Sequence, residues 1–108
     1  MSEERFIEAY VRARYNKAIG PEKIRAELKV KGINSIGMEF ASVYAWDDLA
    51  LLLRKRKFGL KEVDYQQRQK QARFLQGRGF TFSQIAYALE NNYLREEFEQ
   101  DFNSIGMV

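Results

Sequence analysis

The stretch Tyr65-Gln-Gln-Arg-Gln-Lys-Gln-Ala-Arg-Phe-Leu-Gln-Gly-Arg-Gly-Phe-Thr-Phe-Ser-Gln-Ile-Ala-Tyr-Ala-Leu89 reads as a helix, a tight turn and a second helix. Arg68, Lys70, Arg73 and Arg78 make the first helix cationic, and Ala72 and Leu75 give it a narrow apolar edge. Gly77 and Gly79 are expected to end it, because glycine tolerates the positive φ of a helix C-terminal cap, and Phe80 can fold back onto the last turn. Thr81 opens the next helix. Its hydroxyl can accept a backbone N–H while Gln84 reaches back, and Ile85, Ala88 and Leu89 form the inward stripe.

The same unit occurs upstream. Leu28-x-x-Lys31-Gly32-Ile33 aligns with Leu75-x-x-Arg78-Gly79-Phe80 at a constant offset of 47 residues. Asn34 then matches Thr81 as N-cap, and Phe40 and Ala41 fall opposite Tyr87 and Ala88, predicting a helix over 34–44 in which Gly37 is a weak point. Further upstream, Arg12-Ala-Arg14 corresponds to Arg54-Lys-Arg56 at an offset of 42, so the second copy carries five extra residues in the loop 58–64. The pattern predicts an all-α protein of two tandem three-helix repeats, residues 1–45 and 46–91, followed by an acidic C-terminal helix or tail, residues 92–108.

The remaining elements follow from local signals. A helix over 3–18, with Ser2 as N-cap and Glu3 and Glu4 at the positive end of its dipole, turns Phe6, Ile7, Tyr10 and Val11 toward a core. Gly20-Pro21 marks a boundary, since proline suits the first helical position. Ile24 and Leu28 define the short helix after it, closed by Gly32. Asp47-Asp48 can cap a helix that buries Leu49, Leu52 and Leu53 and exits through Arg54-Lys-Arg-Lys57. In the tail, Leu94, Phe98 and Phe102 recur every four residues opposite Glu96, Glu97, Glu99 and Asp101.

Composition excludes several classes of function. The 108 residues contain neither cysteine nor histidine, which removes disulfides, thiol chemistry, histidine acid/base work and the usual zinc sites. The expectation is therefore a binding protein without cofactor or metal, and not an enzyme. No run is apolar for the length of a membrane span, and a cytoplasmic monomer is expected. Residues 1–89 hold 17 Lys and Arg against 10 Asp and Glu, whereas residues 90–108 hold one against five. A basic body of this kind favours polyanionic partners.

The assembled residues resemble the RecX family of bacterial recombination regulators. The family's middle repeat is matched by Glu4-Arg5-Phe6, Tyr10-Val-Arg-x-Arg14, Gly20-Pro-x-x-Ile-Arg-x-Glu-Leu28 and Lys31-Gly-Ile33, and its final repeat by Arg56-Lys-Phe-Gly59, Lys70-x-x-Arg-Phe-Leu75 and Arg78-Gly-Phe80. Members usually carry a further three-helix repeat ahead of the Glu-Arg-Phe segment, so a shortened form is one expectation. The resemblance implies binding to the RecA recombinase within the groove of its filament on DNA, with inhibition of its ATPase, strand-exchange and coprotease activities. It also implies that the cationic faces Arg12, Arg14, Lys17, Arg25, Lys29 and Lys31 in the first repeat, and Arg54, Lys57, Arg68, Lys70, Arg73 and Arg78 in the second, meet RecA carboxylates or DNA phosphates.

Single-stranded DNA is the alternative partner. Helix, tight turn, helix is also the form of DNA readers, yet neither 34–44 nor 81–89 contains an arginine or lysine, and cations on the preceding helices suit phosphate or protein contact more than base readout. Such binding would be salt-sensitive and indifferent to sequence. Tyr15 and Tyr65, at helix edges, are the candidates for base stacking; the other aromatics read as core.

Overall fold

The second helix pair is held together from the inside by a helix that has almost no exposed apolar face. In the computed structural model, which describes residues 3–33 and 43–106 (the side chains of 105 and 106 excepted), the described residues form six α-helices and no strand. They are α1 (Glu3–Asn16), α2 (Pro21–Val30), α3 (Trp46–Phe58), α4 (Tyr65–Gly77), α5 (Phe82–Glu90) and α6 (Glu96–Gly106). Leu49, Ala50, Leu51 and Leu52 of α3 are all fully buried, whereas Leu53 is only partly so. An inward stripe of Leu49, Leu52 and Leu53 underestimates this burial, because α4, α5 and the α6 side all pack around α3. The helix predicted over 34–44 lies outside the described residues except for Val43 and Tyr44, as does Ser2.

The turns explain why the sequence repeats. At the end of α2, Ile33 N–H donates to Leu28 O and Gly32 N–H to Lys29 O; at the end of α4, Phe80 donates to Leu75 O and Gly79 to Gln76 O. Both are Schellman closures, with Gly32 at φ +82° and Gly79 at φ +96°. Gly77 does not end α4 but is its last helical residue. A third closure carries no glycine: Ile19 N–H donates to Arg14 O and Ala18 to Tyr15 O, with Ala18 at φ +62°. It ends α1 at Asn16 rather than at residue 18. Thr81 and Gln84 form the expected capping box. Asp64 caps α4 by accepting from Gln67 N–H, but α3 has Ala45 at its N-cap and no side-chain capping bond. Asp48 instead accepts from Tyr87 Oη at 3.2 Å and Arg95 at 3.1 Å.

Backbone meets backbone where the α4–α5 turn docks on the start of α2. Gly20 N–H donates to Arg78 O at 2.7 Å and Glu22 N–H to Gly79 O at 2.8 Å. The turn thus satisfies amide groups that a helix start leaves without intrahelical partners. A Cβ on Gly20 would lie 2.4 Å from Gly79 C, and one on Gly79 would lie 2.4 Å from Lys23 Cβ. Only glycine at both positions permits this approach, so the α1–α2 turn and the α4–α5 turn are joined through direct backbone hydrogen bonds.

The acidic tail turns back onto the basic end of α3. Phe102 is buried, with its ring 5.9 Å from Tyr15. Tyr15 also lies edge-on to Trp46 at 5.1 Å and 4.6 Å from Tyr44. Lys55 pairs with Glu99 at 2.6 Å, while Arg56 hydrogen-bonds Asn103 and lies 5.7 Å from the Phe102 ring. The aromatic side of α6 faces the core, and Glu99 faces the cations left at the end of α3. Phe6, expected inside, remains 38% exposed at the edge of α1.

Candidate cationic binding surface

Three of the twelve candidate cations are occupied with holding the fold. Arg54 is 1% exposed. Its Nε donates to Gln71 Oε1 at 2.9 Å, and Nη1 reaches Ala88 O at 3.0 Å, Asn91 O at 2.9 Å and Asn92 Oδ1 at 3.3 Å. Nη2 donates to Lys61 O at 2.9 Å. The guanidinium therefore joins α3 to α4, to the loop 58–64 and to the carbonyl end of α5, where the helix dipole favours a cation. Burial pushes its pKa down from the ordinary arginine value, and the nearby Arg68 charge adds to this. Arg54 is thus removed from the candidate surface: a side chain with its donors committed inside the protein has no face for a partner. The sequence hint was its position four residues after Ala50, on a helix whose apolar residues surround the axis.

Arg14 and Arg78 are partly exposed but likewise tied. Arg14 grips Glu27 through Nε at 3.0 Å and Nη2 at 2.7 Å, and Tyr10 Oη donates to the same carboxylate at 2.9 Å. Burial alone would raise the Glu27 pKa, but the hydrogen bonds from Arg14 and Tyr10 outweigh it and hold the carboxyl below its ordinary value. The clasp fixes α1 against α2. Arg78 Nη2 donates to Lys17 O at 2.9 Å and Ala18 O at 3.1 Å, capping the carbonyl end of α1 from across the junction.

The other cations lie outside. Arg25 forms an exposed pair with Glu22 at 2.6 Å, Lys31 sits over the Tyr10 ring at 5.7 Å, and Lys57 over Phe74 at 4.9 Å. Arg68 reaches Glu90 at 3.7 Å and Leu89 O at 3.5 Å, both long contacts. Arg12, Lys17, Lys29, Lys70 and Arg73 are exposed and have no ion-pair partner among the described residues. Lys70 and Arg73, three residues apart, share the outer face of α4. That helix runs toward the junction, where Arg78 lies beside the Lys17 backbone and Lys23 packs on Gly79. The structure thus gathers Arg78, Lys17 and Lys23 at one place, although they are far apart in sequence. Lys23 was not among the sequence candidates; its place follows from the docking of Gly79, which no local pattern encodes. Tyr15 is buried, and burial raises its hydroxyl pKa to about 12. It is therefore a core ring and not a stacking platform. Tyr65 is exposed.

Two family models match the chain: RecX, second three-helix domain, over residues 2–35, and RecX, third three-helix domain, over residues 46–89. A protein described as "Regulatory protein RecX" from Legionella pneumophila (strain Corby) is 36% identical over 100 residues, covering 86% of this chain and 67% of the relative. The chain belongs to the RecX family. Other RecX proteins agree, from Vibrio campbellii at 38% identity and Vibrio parahaemolyticus at 39%, each over 89 residues and 79% of this chain. The chain spans 57% of the length of these two relatives.

Most of the residues that resemble RecX motifs have structural work here. Tyr10, Arg14 and Glu27 form the α1–α2 clasp, while Gly20 and Arg78-Gly-Phe80, from different repeats, meet at the junction. Much of the RecX pattern in this chain therefore describes how its helices are held, while its Arg12, Lys70 and Arg73 lie on the exposed surface. The exposed cations outside those motif positions, such as Lys17 and Lys29, are free of that constraint. No helix among the described residues is long and apolar enough to cross a membrane.

Proposed function

We propose that this chain is a negative regulator of RecA that lies in the groove of the RecA–DNA filament and opposes ATP turnover, strand exchange and stimulated repressor cleavage. The supporting observation is the glycine-to-glycine junction. It holds the Lys17–Lys23 side of one repeat and the Arg78 end of the other in fixed relation, so cations on two repeats can meet a periodic filament without first being ordered. Pre-organisation of this kind reduces the entropy lost on binding. Binding alone, without cofactor, accounts for the regulatory effect. Arg12, Lys17, Lys29, Lys70 and Arg73 carry the surface, with Arg25, Lys31, Lys57 and Arg68 able to exchange weak internal contacts for partner contacts.

The test is RecA's single-strand-dependent ATP hydrolysis titrated with the chain, beside binding to the same DNA without RecA. Substoichiometric inhibition with weak binding to bare DNA is expected. Tight, salt-sensitive binding to bare DNA without inhibition would instead establish the sequence-indifferent DNA-binding reading.

A further inference from the structure

Phe82 is 89% exposed at the first position of α5, two residues after the buried Phe80 that closes the turn. The capping box of Thr81 and Gln84 already starts this helix, so the fold gives no reason for an aromatic ring there. An exposed ring of this size carries a hydration cost that a partner can remove. Phe82 forms one wall of a cleft of about 210 Å³ between α4 and α5. Ala72, Ile85, Ala86 and Leu89 complete its apolar lining, and Arg68 and Gln69 supply its polar side. Arg68 is held by only the long contacts to Leu89 O and Glu90, the latter an exposed pair. Its charge is therefore available at little cost. Lys70 and Arg73 continue the positive field along α4, and α5 contains no arginine or lysine.

We propose that this cleft receives one large apolar side chain from an acidic segment of the protein partner, with Phe82 as the contact ring and Arg68 exchanging Glu90 for a partner carboxylate. The proposal rests on the reading of the chain as a RecA regulator and locates part of the RecA-facing surface on α4 and α5. An apolar anchor in a pocket bordered by arginine is the usual composition of an interface hot spot. A cleft walled by two helices suits a side chain better than a nucleic-acid base, which stacks on an open ring face.

The experiment measures binding of the chain and of its Phe82→Ser, Ala86→Leu and Glu90→Gln variants to RecA filaments on single-stranded DNA, and to the same DNA alone. Phe82→Ser removes one wall of the cleft and Ala86→Leu fills it; each is expected to weaken filament binding about tenfold or more. Glu90→Gln, which frees Arg68, is expected to strengthen it. Circular-dichroism melting of Phe82→Ser is expected to match wild type because the ring is exposed, and bare-DNA binding is expected to be unchanged in Phe82→Ser and Ala86→Leu, which alter no charge. Wild-type filament binding by both Phe82→Ser and Ala86→Leu overturns the cleft while leaving the regulator reading intact. Equal losses on bare DNA overturn it in favour of base stacking on Phe82. Failure of the wild-type chain itself to bind the filament overturns both.

Discussion

Replacing Arg54 by alanine tests whether a cation in the middle of a basic cluster is a binding residue or a core residue. Two of the acceptors it serves, Gln71 Oε1 and Ala88 O, take their hydrogen bonds in buried surroundings, and the other three are partly reachable by water. Leaving a buried acceptor without a donor costs about 1–3 kcal/mol. Two such acceptors give roughly 2–6 kcal/mol, and relief of the buried charge offsets part of the cavity left behind. The expected loss is therefore about 4 kcal/mol, a large share of the roughly 5–15 kcal/mol available to a domain of this size. At about 4–8 °C per kcal/mol the melting temperature should fall by roughly 15–30 °C. Chemical and thermal unfolding followed by far-ultraviolet circular dichroism measures both quantities. Arg54→Lys, which keeps the charge but not the planar fork, should lose less than alanine and more than Lys57→Ala. An Arg54→Ala protein within 1 kcal/mol of wild type, with impaired filament binding, would refute the core assignment.

The other predictions address the junction, the tail and the charges. Gly79→Ala combines a positive φ with a Cβ 2.4 Å from Lys23 Cβ; a destabilisation of about 2 kcal/mol or more is expected by denaturant titration, from strain and lost docking together. Phe102→Ala should cost about 3 kcal/mol and expose α6 to proteolysis, whereas Glu99→Gln, which removes a half-exposed ion pair, should cost less than about 1 kcal/mol. Charge reversal at Arg73 should weaken filament binding at unchanged helical content and stability, but at Arg78 it should lower stability as well, because Arg78 caps α1; wild-type inhibition by Arg73→Glu would remove that residue from the surface. For Glu27, whose folded pKa lies below its ordinary 4.5, stability from the clasp is present above pH 4.5 and fades as pH falls through the folded value; Glu27→Gln should flatten the acid side of a stability–pH curve. Tyr15 has the opposite sign: its folded pKa of about 12 stands above the ordinary 10, so its contribution is complete below pH 10 and disappears as pH rises through about 12. Absorbance titration of tyrosinate should show a ring titrating near 12 that Tyr15→Phe abolishes.

The outcome for individual residues shows how far local chemistry reaches. Gly32 and Gly79 were legible because a Schellman closure needs a left-handed residue and an apolar return contact in fixed order, so glycine, its neighbours and their offset of 47 residues identify the same turn twice. Ala18 makes the third such turn without glycine and gave no signal. The capping box at Thr81 was equally local, but the Asp48 carboxylate found partners in α5 and beyond, and a side chain that can cap will not do so when a tertiary donor competes. Among the cations, spacing on a helix could separate faces but not say which face the rest of the chain would cover. Arg54 and Lys57 share a face by spacing, yet one is buried beneath α5 and the other lies over Phe74 at the surface.

By itself the sequence determined that the chain is helical, where its glycine turns fall, that two units repeat, and that it resembles RecX. These properties depend on backbone preferences and apolar periodicity within a few residues of one another. Only the tertiary structure decided that Gly20 and Gly79 touch, that Glu99 and Phe102 return to α3 and the core, and that Arg54 is inside while Lys70 and Arg73 are outside. The reason is physical: an arginine's stem can cross an apolar interior and its donors can be satisfied there as well as by water, so its place is settled by which carbonyls the packed helices bring within reach.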